Sequence, residues 1–229
     1  MLALKQALSL VTLKKVGAGW TPTDESSLVA WYKNQALITL NGSDVESWGD
    51  SSANTYDMKQ VTVEQQPAYS GGVVTFDSGE SKNLELIGSQ ISLTGDFTLA
   101  LRIQKTADNG TFLADNTSSN EFFKYSSTST RISFKLGGGA TTYNLDLDDG
   151  TTFGDDSLII TRDGSLVQLH INGEAQIVAP SASGTVLIDN IGLRRTDING
   201  FDGTIKEIQI YSSTSAALTA NANARLIAL

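Results

Sequence analysis

Apolar and polar residues alternate at every second position in one segment after another, and turn residues separate those segments. In 97–103, Phe97, Leu99, Leu101 and Ile103 share one face, opposite Thr98, Ala100 and Arg102. In 131–136, Ile132, Phe134 and Leu136 oppose Arg131, Ser133 and Lys135. In 143–148, Tyr143, Leu145 and Leu147 oppose Asn144, Asp146 and Asp148, and in 166–172, Val167, Leu169 and Ile171 oppose Gln168, His170 and Asn172. Successive side chains of a strand point to opposite faces, so each segment predicts one buried and one wet face of an antiparallel sheet. Further strands are predicted over 28–33, 73–77, 83–87, 111–114, 121–125, 157–162, 185–188 and 204–211. Turn residues such as Ser70-Gly-Gly72, Asp108-Asn-Gly110, Asp163-Gly164 and Asn172-Gly173 stand between them. About a dozen short strands at this spacing predict an all-β antiparallel sandwich of two sheets, not alternating β-α units.

Helix is scarce. The tail predicts a short C-terminal one, with Thr219 as N-cap and 220–229 as its body, Ala222 and Leu226 on one face. In 204–211 the alternation slips: Ile208 and Ile210 share a face, while Ile205 and Tyr211 fall on the other. A bulge, or burial on both faces, would account for that.

The length of 229 residues suits one sandwich domain, read as 20–229, preceded by an arm over 1–19. In the arm, Leu4, Ala7, Leu8 and Val11 fit a helical stripe, and Leu2, Leu4, Leu8 and Leu10 nearly fit a strand. Two readings stand: the segment docks on its own sandwich, or it buries Leu2, Leu4, Leu8, Leu10, Val11 and Leu13 against a partner subunit. Lys14-Lys15 follow the apolar stretch where a signal peptide would carry small residues, so the segment is expected to be retained. No apolar run reaches the roughly 18 residues of a membrane-spanning helix.

The 16 Lys and Arg are scattered against 25 Asp and Glu, for a net charge of −9. No cationic stripe serves a phosphate backbone, and an anionic membrane would repel the chain, so neither nucleic acid nor membrane is an expected partner. The absence of cysteine excludes disulfides and thiolate metal sites.

Residues able to carry chemistry are few. His170 is the only histidine and falls on the polar face of its strand beside Gln168, which excludes a histidine zinc cluster. A sandwich glycosidase needs two carboxylates on one face. Asp146 and Asp148 run into a turn, and Glu207 has Gln209 at its next same-face position, so no catalytic pair is found and the chain reads as non-catalytic. Asp115 and Asn116, at a strand end, are the candidate calcium ligands, although Ca²⁺ requires several more oxygens. Trp20, Trp31 and Trp48 are candidates for a sugar-stacking platform, with Trp31 expected in the core.

Four stretches resemble a known family. They are Leu28–Tyr32 with Val45–Ser51, Gln66–Tyr69 and Val73–Asp77; Gly110–Asp115 with Phe122–Tyr125 and Arg131–Phe134; Ser157–Gly164 with Val167–Gly173; and Asp189–Arg194 with Gly200–Tyr211. Their order is similar to laminin-G-like (concanavalin A-like) jelly-roll domains, of the kind found in tailed-bacteriophage virion proteins. The resemblance implies a jelly roll over roughly 25–228. It also implies a structural protein on the virion exterior, made in the host cytoplasm as a capsid decoration or tail component. The arm would contact other virion proteins or a second copy of the chain. A glycan- or receptor-binding module that uses rim loops, with or without calcium, is the alternative. Gly154-Asp-Asp-Ser157 stands where extracellular members often carry Trp-His, so their calcium-dependent glycan binding does not transfer directly.

Overall fold

The computed structural model describes residues 19–147, 152–176, 179–195 and 199–229. Strands β1 (Leu28–Tyr32), β2 (Ile38–Asn41), β3 (Asp44–Trp48), β4 (Met58–Lys59), β5 (Ala68–Ser70), β6 (Val73–Phe76), β7 (Leu84–Glu85), β8 (Ile91–Leu93), β9 (Phe97–Lys105) and β10 (Thr111–Ala114) come first. Strands β11 (Phe122–Tyr125), β12 (Arg131–Lys135), β13 (Tyr143–Asp146), β14 (Asp155–Asp163), β15 (Leu166–Ile171), β16 (Glu174–Ala175), β17 (Val186–Ile188), β18 (Asn190–Ile191) and β19 (Gly203–Tyr211) follow, and helix α1 (Ala216–Ile227) comes last.

Two antiparallel layers face each other. One runs β15, β14, β9, β19, with β1 and β6 sharing the far edge of β19. The other runs β13, β12, β11, β10, β18, β7, β4, β3, β2. Pairings β3–β5 and β5–β6 join the layers at one corner, and β8 with β17 forms a separate ribbon. The core lies between the layers. Phe97 of β9 meets Phe123 of β11 at 6.3 Å between ring centroids, and Phe123 stacks on Phe134 at 5.6 Å. Leu99, Leu101, Ile160 and Leu169 face Ile132 and Leu145 in the same buried cluster. The expected inward sets are therefore the observed ones.

The expected wet face of β9 is not wet. Thr98 and Ala100 are fully buried because α1 packs on the outside of β9 and β14. Ala100 and Ile159 form a second small core with Ala222 and Leu226, and Trp20 packs against it. The helix also begins earlier than expected. Ser215, not Thr219, is the N-cap: its side chain accepts the Leu218 N–H at 3.1 Å. Leu218 thus joins Ala222 and Leu226 as a buried stripe at four-residue spacing.

The slip in the last strand is a bulge. The pairing of β19 with β9 shifts between Ile205 and Glu207, leaving Lys206 as the extra residue. Ile205 therefore joins Ile208 and Ile210 in the core rather than sharing the outer face with Tyr211. Glu207, Gln209 and Tyr211 lie fully buried beneath α1. The segment 45–51, not among the predicted strands, starts as β3, with Val45 and Trp48 buried. Its first and fourth apolar positions hide the strand from a period-two search.

Candidate functional site

Of the residues named from the sequence, Asp115 and Asn116 sit where three chain segments converge. Strand β10 ends just before Asp115, β7 runs into the 86–90 loop, and Asp189 joins β17 to β18. Together they line a rim groove of about 570 Å³ formed by Glu85–Gln90, Asn116, Thr117 and Asp189. Hydrogen bonds fix its walls. The Asn116 backbone N–H donates to Asp189 Oδ1 (2.6 Å), and its side-chain Nδ2 donates to Glu85 Oε2 (2.9 Å). Gln90 Nε2 donates to Asp189 Oδ2 (3.3 Å), and the Leu86 N–H to the Asp189 carbonyl (2.7 Å). Ile87, 59% exposed, supplies the apolar part of the rim.

Burial, with the nearby Asp115 and Glu85 charges, outweighs the Asn116 and Gln90 hydrogen bonds and raises the Asp189 carboxyl to about 6. The folded chain therefore binds more protons than the unfolded chain between about pH 4 and 6, and stability falls as pH rises through that window. Glu121, also raised by burial, acts in the same sense. Urea denaturation at pH 4.5 and pH 7 is expected to show a gain at the lower pH. Asp189→Asn is expected to remove a part of it on the order of 2 kcal/mol.

The groove does not fit a calcium cage. Asp115 Oδ1 accepts both the Thr117 N–H and hydroxyl at 2.7 Å, and each oxygen of Asp189 already accepts a hydrogen bond. Among the described residues no three His, Cys, Asp or Glu side chains are grouped to hold a metal ion. Ca²⁺ takes roughly 6–8 oxygens.

The other named residues have different roles. Asp146 is held by Arg131, at 2.6 Å to Nε and 3.2 Å to Nη2. Glu207 is held by Arg225 beneath the helix, so neither carboxylate is a free acid or base. Asp148 and the arm residues Leu2, Leu4, Leu8, Leu10, Val11 and Leu13 lie outside the described residues. The tryptophans make no exposed platform. Trp48 is fully buried and donates to the Lys33 carbonyl at 3.1 Å. Trp31 lies under the Arg225 guanidinium at 4.8 Å, and half-buried Trp20 packs on the helix cluster. His170 is on the outer face of β15 as expected, but half-buried rather than open to solvent.

One cluster escaped the sequence reading. The loop 115–121, of which Asn116 and Thr117 line the groove, also binds cations. Arg194 lies on the Phe122 ring at 4.5 Å and donates to the Ser119 carbonyl, and Lys135 donates to Asn120. Lys124 is 5.9 Å from the same ring and bonds Asn109. No carboxylate pairs with Arg194, Lys124 or Lys135 among the described residues. Burial, then the Arg194 charge, lowers the Lys124 ammonium. Period-two alternation puts Phe122 and Lys124 on one face, but Arg194 arrives from a segment about 70 residues away and no local pattern announces it.

No protein-family model matches the chain, and no curated protein resembles it closely enough to match. Solved structures do. The binding domain of botulinum neurotoxin DC, solved in complex with "SialylT", aligns with a TM-score of 0.56 at 14% identity over 88% of this chain and 52% of that one. A botulinum neurotoxin type C structure, whose cell entry depends on two ganglioside molecules, aligns at 0.54 and 14% identity over 87% and 51%. Domain 4 of AbnA, an arabinanase of Geobacillus stearothermophilus in complex with arabinotriose, aligns at 0.53 and 15% identity over 86% of this chain and 98% of that one. The chain thus spans about half of the toxin chains and nearly all of the arabinanase domain. At these identities the likeness shows the fold, a jelly-roll β-sandwich.

Proposed function

We propose that this chain is a non-catalytic carbohydrate-binding module that takes a saccharide in the rim groove. The observation that carries the reading is the groove itself. Glu85, Gln90, Asn116 and Asp189 bring planar amide and carboxylate groups from three segments around the exposed side chain of Ile87. Sugar hydroxyls both donate and accept, and planar groups of this kind serve both roles at fixed spacing. The AbnA domain supports the reading, being a whole domain of this fold that was solved holding a saccharide. Attachment to a virion rests on the sequence resemblance alone.

The test is a glycan screen with neutral and acidic arms, followed by calorimetry on Gln90→Ala and Asn116→Ala. Each substitution removes hydrogen bonds of ordinary strength and is expected to weaken binding about three- to tenfold with the fold intact. Binding unchanged in both variants would place the saccharide elsewhere.

A further inference from the structure

Helix α1 covers β9 and β14 but stops short of β15, and a second groove of about 550 Å³ opens there. Its floor is the outer face of β14 and β15, including Thr161, Asp163, Gln168 and His170, and its wall is the helix face carrying Thr219, Ala220 and Asn223. We infer that this groove is a second saccharide site, on the opposite layer from the rim groove and selective for neutral, hydroxyl-rich sugars.

The donor and acceptor inventory carries the inference. Asn223 Oδ1 is buried and has no hydrogen-bond partner. A buried acceptor without a donor is costly, and rotation of the Asn223 amide, which lines the groove, would present it to a ligand hydroxyl. Asn223 is pressed against Gly173, where a Cβ would fall 2.7 Å from its Nδ2, so a glycine with φ +92° is what lets the amide sit at the end of the groove. The Thr161 and Thr219 hydroxyls can each donate or accept. Burial lowers the imidazolium of His170, so at neutral pH the ring presents one donor and one acceptor nitrogen. No hydrogen bond or ion pair engages the side chain of His170 or Asp163 among the described residues. An anion would meet Asp163 and no cation among the lining residues, and a wholly apolar ligand would leave Asn223 unsatisfied. A neutral polyol satisfies the set.

The inference rests on the carbohydrate-binding reading, and the experiment separates the two. His170 is the only histidine in the chain, so its imidazole proton resonance is an unambiguous reporter of this groove. The full chain would be titrated with arabinotriose, cellotriose and maltotriose, following His170 by NMR and heat by calorimetry. Three proteins would be compared: wild type, the rim double variant Gln90→Ala/Asn116→Ala, and Ala220→Leu. Ala220 is exposed on the helix, so leucine there is helix-compatible and fills the groove. A saturable His170 shift is expected in wild type and in the rim variant, weakened about tenfold or more in Ala220→Leu. Heat of binding with a fixed His170 signal, or a shift that survives Ala220→Leu, would overturn the second site and leave the rim reading standing. Absence of any saccharide binding, acidic sugars included, would overturn both.

Discussion

Arg225→Ala is expected to lower the unfolding free energy by about 3–5 kcal/mol, a large share of the stability of a single domain. The Glu207 carboxylate is fully buried on the outer face of β19. It accepts two hydrogen bonds from Arg225 (2.5 and 2.8 Å), one from Gln209 Nε2 (2.8 Å) and one from the Asn34 N–H (3.1 Å). The Tyr211 hydroxyl donates to Gln209 at 2.7 Å, and burial and the Glu207 charge hold that phenol protonated. Arg225 also lies over Trp31, so one guanidinium joins the end of the helix to β19 and β1. Alanine at 225 strands a buried charge. The reverse change is milder: Glu207→Gln removes the charge, and Arg225, 20% exposed, can turn toward water. The double variant Arg225→Ala/Glu207→Gln should therefore be more stable than Arg225→Ala alone in urea denaturation. A single variant costing less than about 1 kcal/mol, or a double variant worse than both, would contradict the clamp.

Gly203→Ala is expected to be worse still, costing more than about 4 kcal/mol or preventing soluble expression. Gly203 opens β19 with φ +153°, and a Cβ there would fall 2.1 Å from the Gln104 carbonyl and 3.0 Å from Lys105 Cα. Both neighbours belong to the β9 backbone, which pairs with β14 on its other side and has nowhere to move. The control is Gly164→Ala, at φ +59° with open space around it, where the backbone penalty alone applies, about 1 kcal/mol. Equal urea midpoints for the two variants would show that the close approach at Gly203 does not hold the strand.

What the sequence made legible follows from how local each signal is. Alternation located β12 and β15 because one face of each meets the core and the other is at least partly open to water. It misjudged Thr98 and Ala100 because the helix that buries them lies more than a hundred residues on. It saw the slip at 205–211 but not its sense, since a bulge is a property of the pairing with β9 and not of β19 alone. Asp115 and Asn116 were legible as a strand end. Glu85, Gln90 and Asp189 reach the same groove from about 30 and 70 residues away and carry no motif. Glu207 looked solitary because its partner, Arg225, stands on the only helix of more than one turn among the described residues.

Amide chemical-shift mapping of the chain titrated with the tightest-binding saccharide from the screen tests binding in the rim groove residue by residue. Perturbations are expected at 85–90, 115–117 and 189, diminishing together in Asn116→Ala. Saccharide binding that leaves all of those amides unmoved, or a screen in which no neutral or acidic sugar binds, would contradict binding in that groove.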